Sequence, residues 1–152
     1  MPNLTKTAVK RLLVEERMKE RAKAKQSRFM SKTLSIYNGQ KKRAAEAGQA
    51  LDFSLADFRA FFLLGINGNC PYSGQRLSLS NATADHRTPI ARGGSFGLAN
   101  QVVCTQSSNF QKGLQTEEEH LALMKAAAEI LAPVALEDLK RRLTLGGKWG
   151  FR

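Results

Sequence analysis

The chain has 152 residues, which is enough for one ordinary domain with a short extension but too few for two full-sized hydrophobic cores. Its 24 lysines and arginines outnumber its 13 aspartates and glutamates, and the resulting net charge of +11 favours a polyanionic partner, either nucleic acid or, as the weaker choice, anionic lipid. No apolar run approaches the roughly 20 residues of a membrane-spanning helix, and the N-terminus lacks the apolar stretch of a secretory signal, so we expect a cytoplasmic protein with no membrane partner.

Most of the excess charge lies in residues 1–50, which hold thirteen basic residues and four acidic ones and therefore +9 of the net charge. From Thr5 to about Phe29 the segment lacks proline and glycine and is rich in Ala, Leu, Lys, Arg and Glu, which predicts a long basic helix. We interpret residues 1–50 as a DNA-binding extension of a domain at 51–152, and we expect a chain that begins near Ala50 still to fold. A solvated helix without a binding role is the alternative.

The segment after this helix contains the first signals of a core. Asn38-Gly39 predicts a turn, and the basic cluster that follows it is a candidate DNA contact: Lys41, Lys42 and Arg43. The chain then becomes more apolar, and we expect the core to begin there. Ser54 is predicted to cap a short helix whose aromatic stripe packs in that core: Leu55, Phe58, Phe61 and Phe62.

The remainder of the chain predicts short strands followed by helices, and hence an α+β fold. Between residues 70 and 103 turn-forming residues, including Gly93-Gly94, separate short segments capable of forming strands. Thr116 is predicted to cap a helix from Glu117 to about Leu131. Pro133 would end that helix before a second one from Leu136 to Leu143, and a flexible basic tail runs from Gly146 to Arg152 and contains Trp149.

The most specific pattern lies between residues 85 and 113. It contains Asp85-His86, then Pro89 and Gly93-Gly94, then Asn100 before a short apolar segment, and finally Asn109 three residues ahead of Lys112-Gly113. In residue types, order and gaps, these thirty or so residues resemble the HNH, or ββα-metal, endonuclease family. A chance arrangement in an inert domain is the alternative.

This resemblance implies a ββα unit over about residues 68–115. Its first strand would deliver Asp85 and His86, a loop would lead to the second strand, and the following helix would present Asn109. It also implies that Asn100 holds the loop and thereby orients His86.

The expected chemistry agrees with the residue types. An imidazole that titrates near neutrality can take a proton from the attacking water, so His86 is the candidate general base. Asp85 and Asn109 offer hard oxygen ligands for one Mg²⁺ or Mn²⁺ ion. Lys112 would lie near the phosphate, and Arg87 and Arg92 could bind backbone phosphates. For all three the alternative is an ordinary exposed cation.

The chain departs from the family pattern in two places. Asn109 stands where the last letter is often His, which gives an H-N-N variant. Many members also hold a structural zinc ion with two Cys-x-x-Cys pairs. Here the first cysteine of each pair is present, as Cys70 and Cys104, but serines stand at the second positions, as Ser73 and Ser107. Because a neutral serine is a poor zinc ligand, we interpret a relict zinc position and expect no structural zinc. The one possible substitute ligand, His120, is expected on the surface.

The resulting functional hypothesis is a metal-dependent endonuclease acting on double-stranded DNA and leaving 5′-phosphate and 3′-hydroxyl ends. It is similar to phage or intron-encoded homing endonucleases, and would act in a bacterial or phage-infected cell. Two alternatives are a DNA-binding protein that keeps the HNH scaffold without cutting and a basic RNA-binding protein. The sequence leaves open whether the protein is a monomer or a dimer and whether it nicks or cuts both strands.

Overall fold

The computed structural model of the protein describes residues 6–130 together with Asp138 and Arg141. Its elements, in chain order, are helix α1 (Lys6–Glu46), helix α2 (Leu55–Ile66), strand β1 (Ala82–His86), strand β2 (Gln101–Thr105), helix α3 (Gln106–Lys112) and helix α4 (Glu117–Ile130). The described part is therefore α+β with a long N-terminal helix, as predicted. None of its helices is both long and apolar enough to cross a membrane.

Three C-terminal predictions lie outside the described residues. They are Pro133 as the end of a helix, the second helix at 136–143 apart from Asp138 and Arg141, and the basic tail at 146–152 with Trp149.

Helix α1 is longer than predicted. It continues past Phe29 and through Asn38-Gly39 to Glu46, so the predicted turn is wrong. Side chains on its second half face the core, with Thr33 and Gln40 almost fully buried. The amides of Gln40 and Gln101 donate to each other at 2.9 and 3.0 Å. These tertiary contacts stabilise the helix on both sides of Gly39 and outweigh the local turn preference.

Helix α2 forms as predicted. The Ser54 hydroxyl accepts from the Asp57 N–H at 3.2 Å, and the Asp57 carboxylate accepts from the Ser54 N–H at 2.9 Å, which satisfies two backbone donors at the helix start. Phe58 and Phe62 are fully buried. At Gly65 a Cβ atom would lie 2.3 Å from a methyl group of Val103, so the absence of a side chain allows α2 to pack closely on β2.

The core draws on residues on both sides of position 50. Phe58 packs against Tyr37, which belongs to α1, and Phe62 packs against Phe29 of the same helix. Ala44 is also buried. The expectation that the core begins after Arg43 is therefore wrong, because the second half of α1 covers the aromatic face of α2.

Strands β1 and β2 form an antiparallel pair, and α3 follows β2 directly and packs on both strands. The register sets His86 opposite Gln101. The loop between the strands contains the predicted Gly93-Gly94 turn. Gly93 has a φ of +86°, and a Cβ on Gly94 would lie 2.0 Å from the carbonyl oxygen of Thr88, so each glycine is required for a different reason.

Helix α4 begins where the sequence predicts. The Thr116 hydroxyl accepts from the Glu119 N–H at 3.2 Å, and the Glu119 carboxylate accepts from the Thr116 N–H at 2.9 Å. The Glu117 N–H donates to the carbonyl of Arg87 at 2.8 Å, which fixes the first turn of α4 beside the end of β1.

Candidate functional site

The Asp85 carboxylate lies at the end of β1 in a buried polar network. The Tyr72 hydroxyl donates to its Oδ2 atom at 2.9 Å, and the Lys112 ammonium lies 3.1 Å from the same oxygen and 3.5 Å from Oδ1. Lys112 also donates to the carbonyl of His86 at 2.9 Å. Two donors therefore hold one oxygen of Asp85, while the other has only a long contact.

Lys112 is not the exposed cation that the sequence allowed as an alternative, because only 1% of its surface is exposed. Helix α3 directs it inward, and its charge is balanced by Asp85. The structure thus joins Lys112 to Asp85 and to the backbone of His86, instead of displaying it on the surface as a free phosphate ligand.

Tyr72 is a site residue that sequence reasoning missed. Burial raises the pKa of its phenol, and the negative charge of Asp85 raises it further, so the hydroxyl keeps its proton and serves as a donor. The only signal in the sequence was its position inside the Cys70-to-Ser73 segment, where the resemblance to HNH endonucleases implies a former zinc site.

His86 follows Asp85 and has a ring nitrogen that no other group in the described residues uses. Its Nε2 atom is buried and has no hydrogen-bond partner there. The ring packs edge-on against Phe96, with centroids 5.3 Å apart. Burial lowers the pKa of the imidazole, the charges of Arg43 and Lys112 lower it further, and Asp85 opposes them. The ring is therefore neutral at neutral pH, a state in which one ring nitrogen can accept a proton.

The basic cluster predicted to contact DNA lies at the end of α1, and all three of its side chains are exposed. Arg43 is near enough to His86 for its charge to lower the pKa of the imidazole. Lys42 lies 3.9 Å from Glu46, and Lys41 precedes it on the same helix.

Asn100 connects the two ends of the loop between the strands. Its side-chain oxygen accepts from the Thr88 N–H at 2.9 Å, and its amide nitrogen donates to the carbonyls of Thr88 at 2.9 Å and Ser95 at 2.8 Å. Its own carbonyl accepts from the Arg87 N–H at 2.7 Å. These four bonds fix the backbone immediately after His86, and this is the kind of role that the family resemblance implies for Asn100.

The candidate metal ligands are Asp85 and Asn109, and both offer hard oxygen atoms. Asp85 Oδ1 has only the long contact with Lys112, and Asn109 is a half-buried residue of α3, the helix that packs on β1. Within the described residues, no three or more His, Cys, Asp or Glu side chains are grouped so that they could hold a metal. One carboxylate oxygen and one amide oxygen fit a largely hydrated Mg²⁺ or Mn²⁺, which retains several water or phosphate ligands.

The two arginines predicted to bind phosphates are both paired with glutamates of α4. Arg87 binds both carboxylate oxygens of Glu117, and Arg92 binds those of Glu119. The hydrogen bond with Arg92 also lowers the pKa of Glu119, to about 2. Sequence reasoning missed these partners because they lie 30 and 27 residues away along the chain.

The two cysteines are buried and free. Cys70 Sγ accepts from the Thr105 N–H at 3.4 Å and donates to the Ser108 hydroxyl oxygen at 3.5 Å. Burial raises the pKa of the Cys70 thiol, but these bonds and those from Ser73 outweigh it and the pKa falls below its usual value. Burial raises the pKa of Cys104 strongly. At the predicted relict zinc position, the Cys70 thiol is thus held by hydrogen bonds with serine and threonine residues.

His120 is buried, with 4% of its surface exposed, so the expectation of a surface residue is wrong. Its Nδ1 atom lies 3.0 Å from the side-chain oxygen of Gln115, and its ring packs edge-on against Tyr72 at 5.3 Å. The docking of α4 beside β1 turns His120 inward. It supports the Tyr72 side of the Asp85 network.

A scan of the sequence against protein-family models finds no match, and neither does a comparison with curated proteins.

Proposed function

We propose that this protein is a metal-dependent DNA endonuclease. The observation that carries the proposal is the buried Nε2 of His86, which has no hydrogen-bond partner among the described residues and is next to Asp85 at the end of a strand. A buried ring nitrogen without a partner is costly in a purely structural role, because its lost hydrogen bond to water is not replaced. An acceptor for a substrate water accounts for it.

His86 would act as the general base. A neutral imidazole accepts the proton of a water as that water attacks the phosphorus atom of a phosphodiester. The lowered pKa of His86 keeps the base unprotonated at neutral pH. The bonds of Asn100 to Thr88 and Ser95 hold the adjoining loop, and the contact with Phe96 limits rotation of the ring.

Asp85 and Asn109 would hold a hard divalent cation. Such an ion, when bound, stabilises negative charge on the phosphoryl oxygens and on the departing 3′ oxygen. Tyr72 and Lys112 bind one oxygen of the Asp85 carboxylate, and the other oxygen, which has only the 3.5 Å contact with Lys112, would act as the metal ligand. The net charge of +11 favours a polyanionic substrate, and the resemblance to HNH endonucleases favours double-stranded DNA.

The test is a plasmid-cleavage assay with Mg²⁺ and with EDTA, using the wild-type protein and His86→Ala purified identically. We expect cleavage only with Mg²⁺, and a loss of about 10²–10⁴-fold in rate for His86→Ala, since a general base contributes that much. DNA affinity in EDTA should stay within a few fold, because no phosphate contact is removed. Full turnover by His86→Ala would refute the mechanism.

A second candidate is a DNA-binding protein of the same architecture that does not cut. The observation that favours it is the ion pair of Asp85 with Lys112, which already neutralises the candidate metal ligand. The same assay separates the two functions, because a non-cleaving protein binds the plasmid in EDTA and leaves it intact with Mg²⁺. RNA added as a competitor of the plasmid in EDTA tests the RNA-binding alternative, because an RNA-binding protein would release the plasmid.

A further inference from the structure

A basic groove lies at the other end of β1 from His86. It has a volume of about 790 Å³ and runs between α1 and the loop that contains Ser78 and Ser80. Its helical wall carries Arg21, Lys25 and Arg28. Positions 21, 25 and 28 are four and three residues apart, so these side chains share one face of the helix.

Three of the four cations that line the groove, Arg21, Lys25 and Arg28, are free to bind an anion. All are exposed, and none has an ion pair within the described part of the chain. The arginines beside His86 differ in this respect, since Glu117 and Glu119 already neutralise Arg87 and Arg92. The groove therefore offers three cations that are not neutralised by an ion pair among the described residues, whereas Arg87 and Arg92 are neutralised.

The groove is held in shape by its own contacts. The Lys32 ammonium donates to the carbonyl of Leu79 at 2.7 Å and connects α1 to the loop. Within the loop, the hydroxyls of Ser78 and Ser80 lie 2.9 Å apart, and the Ser78 N–H donates to the side chain of Asn81 at 2.9 Å. These contacts fix the loop beside α1, so the loop itself need not be ordered when a ligand binds.

We propose that this groove binds the sugar-phosphate backbone of duplex DNA as a second site, distinct from the residues around His86. The inference rests on the proposed function for its ligand. Arg21, Lys25 and Arg28 contact successive phosphates, and the serine hydroxyls of the loop supply further donors. The four residue steps from Ala82 to His86 span about 13 Å along the strand. A duplex would cover that separation with about four base pairs.

The test compares two double variants of the full-length protein that lose the same charge from the same helix. Lys25→Gln with Arg28→Gln removes two groove cations, and Lys19→Gln with Lys23→Gln removes two exposed cations from roughly the opposite face of α1. Glutamine has nearly the helix propensity of lysine and arginine, so α1 should persist, and circular dichroism checks this. The binding of a fluorescent DNA duplex is measured in EDTA over a range of salt concentrations.

The groove variant should lower the magnitude of the slope of log K against log[salt] by about 1.8, because each phosphate contact contributes about 0.9. The opposite-face variant should change the slope by much less. Exchange of the two cations, Lys25→Arg with Arg28→Lys, should restore the wild-type slope. Equal slopes for the two glutamine variants, or no binding of the duplex by the wild type, would overturn the proposal.

The outcome is independent of catalysis. Because EDTA excludes cleavage, a wild-type protein that binds as described but never cuts would refute the endonuclease and leave the groove in place. A protein that cuts DNA with Mg²⁺ while both glutamine variants keep the wild-type slope would refute the groove alone.

Discussion

The Asp85 carboxylate combines deep burial with a full opposite charge, and its neighbourhood is therefore sensitive to single substitutions. Lys112 and Asp85 are both almost inaccessible to solvent. Removing one member of a buried ion pair leaves the other without water or a counter-charge, whereas an exposed pair contributes little. The chain contains both kinds of pair, which allows a direct comparison.

Lys112→Met should lower the free energy of unfolding by about 3–5 kcal/mol, since Asp85 loses its buried partner. Lys42→Met is the matched control, because Lys42 is exposed and lies 3.9 Å from Glu46. It should leave the free energy of unfolding nearly unchanged. Urea denaturation of the three proteins measures the difference. Similar losses for the two variants would contradict the view that Lys112 and Asp85 stabilise the fold as a buried pair.

At the scale of residues, the sequence predicted positions better than partners. Asp85, His86, Asn100 and Asn109 fall on the strand, loop and helix positions that the motif implies. The partners of the polar groups depend on tertiary contacts that have no local signal, and Tyr72 is the example closest to Asp85. The hydrogen bond from Tyr72 crosses 13 residues of turn-rich chain.

At the scale of elements, α1 shows how packing overrides a local signal. Asn-Gly is a strong turn pair in isolation, because glycine in a helix costs up to about 1 kcal/mol. Here Ile36, Tyr37 and Gln40 surround Gly39 in sequence and face the core. Their burial exceeds that cost, and the helix continues. Capping motifs predict helix starts more reliably than Asn-Gly predicts a turn, since Ser54 and Thr116 satisfy backbone donors within their own turn.

Gly39→Ala should raise the free energy of unfolding by about 0.5–1 kcal/mol, because alanine favours the helix and nothing lies within 4 Å of the new Cβ. The same change at Gly65, also within a helix, should instead lower it by about 1–3 kcal/mol, because the new Cβ would overlap Val103. Thermal unfolding monitored by circular dichroism gives both signs. Destabilisation by Gly39→Ala would indicate that the chain turns there.

At the scale of the whole molecule, the two halves of α1 have different roles. The second half packs against α2 and supplies buried residues such as Thr33 and Ala44. The first half carries exposed apolar side chains, including Leu12 and Met18, among its basic ones. Net charge identified the extension but not this division. The distinction required knowing which residues of α1 meet the aromatic face of α2, and the periodicity of the helix did not reveal it.

A chain that lacks residues 1–20 should unfold at nearly the wild-type urea concentration, because the residues of α1 that pack in the core begin at Phe29. A chain that begins at Ala50 should fail to fold, contrary to the expectation from the sequence. It exposes Phe58 and Phe62 and loses a large share of a total stability that is on the order of 5–15 kcal/mol. Cooperative unfolding of the shorter chain would show that the α1 contacts are dispensable.

The ion pairs of α4 with Arg87 and Arg92 have a consequence for how the protein meets a charged polymer. They place Glu117 and Glu119 at the His86 end of β1, while the unpaired cations of Arg21, Lys25 and Arg28 lie at the opposite end. Net positive charge is therefore concentrated along α1, since residues 1–50 hold +9 of the net charge and these ion pairs cancel the charges of Arg87 and Arg92. In the field of a polyanion, this uneven charge produces a torque that turns α1 toward the polyanion before any contact forms. The orientation of the first collision is therefore not random. Added salt should slow this encounter as well as weaken the final complex.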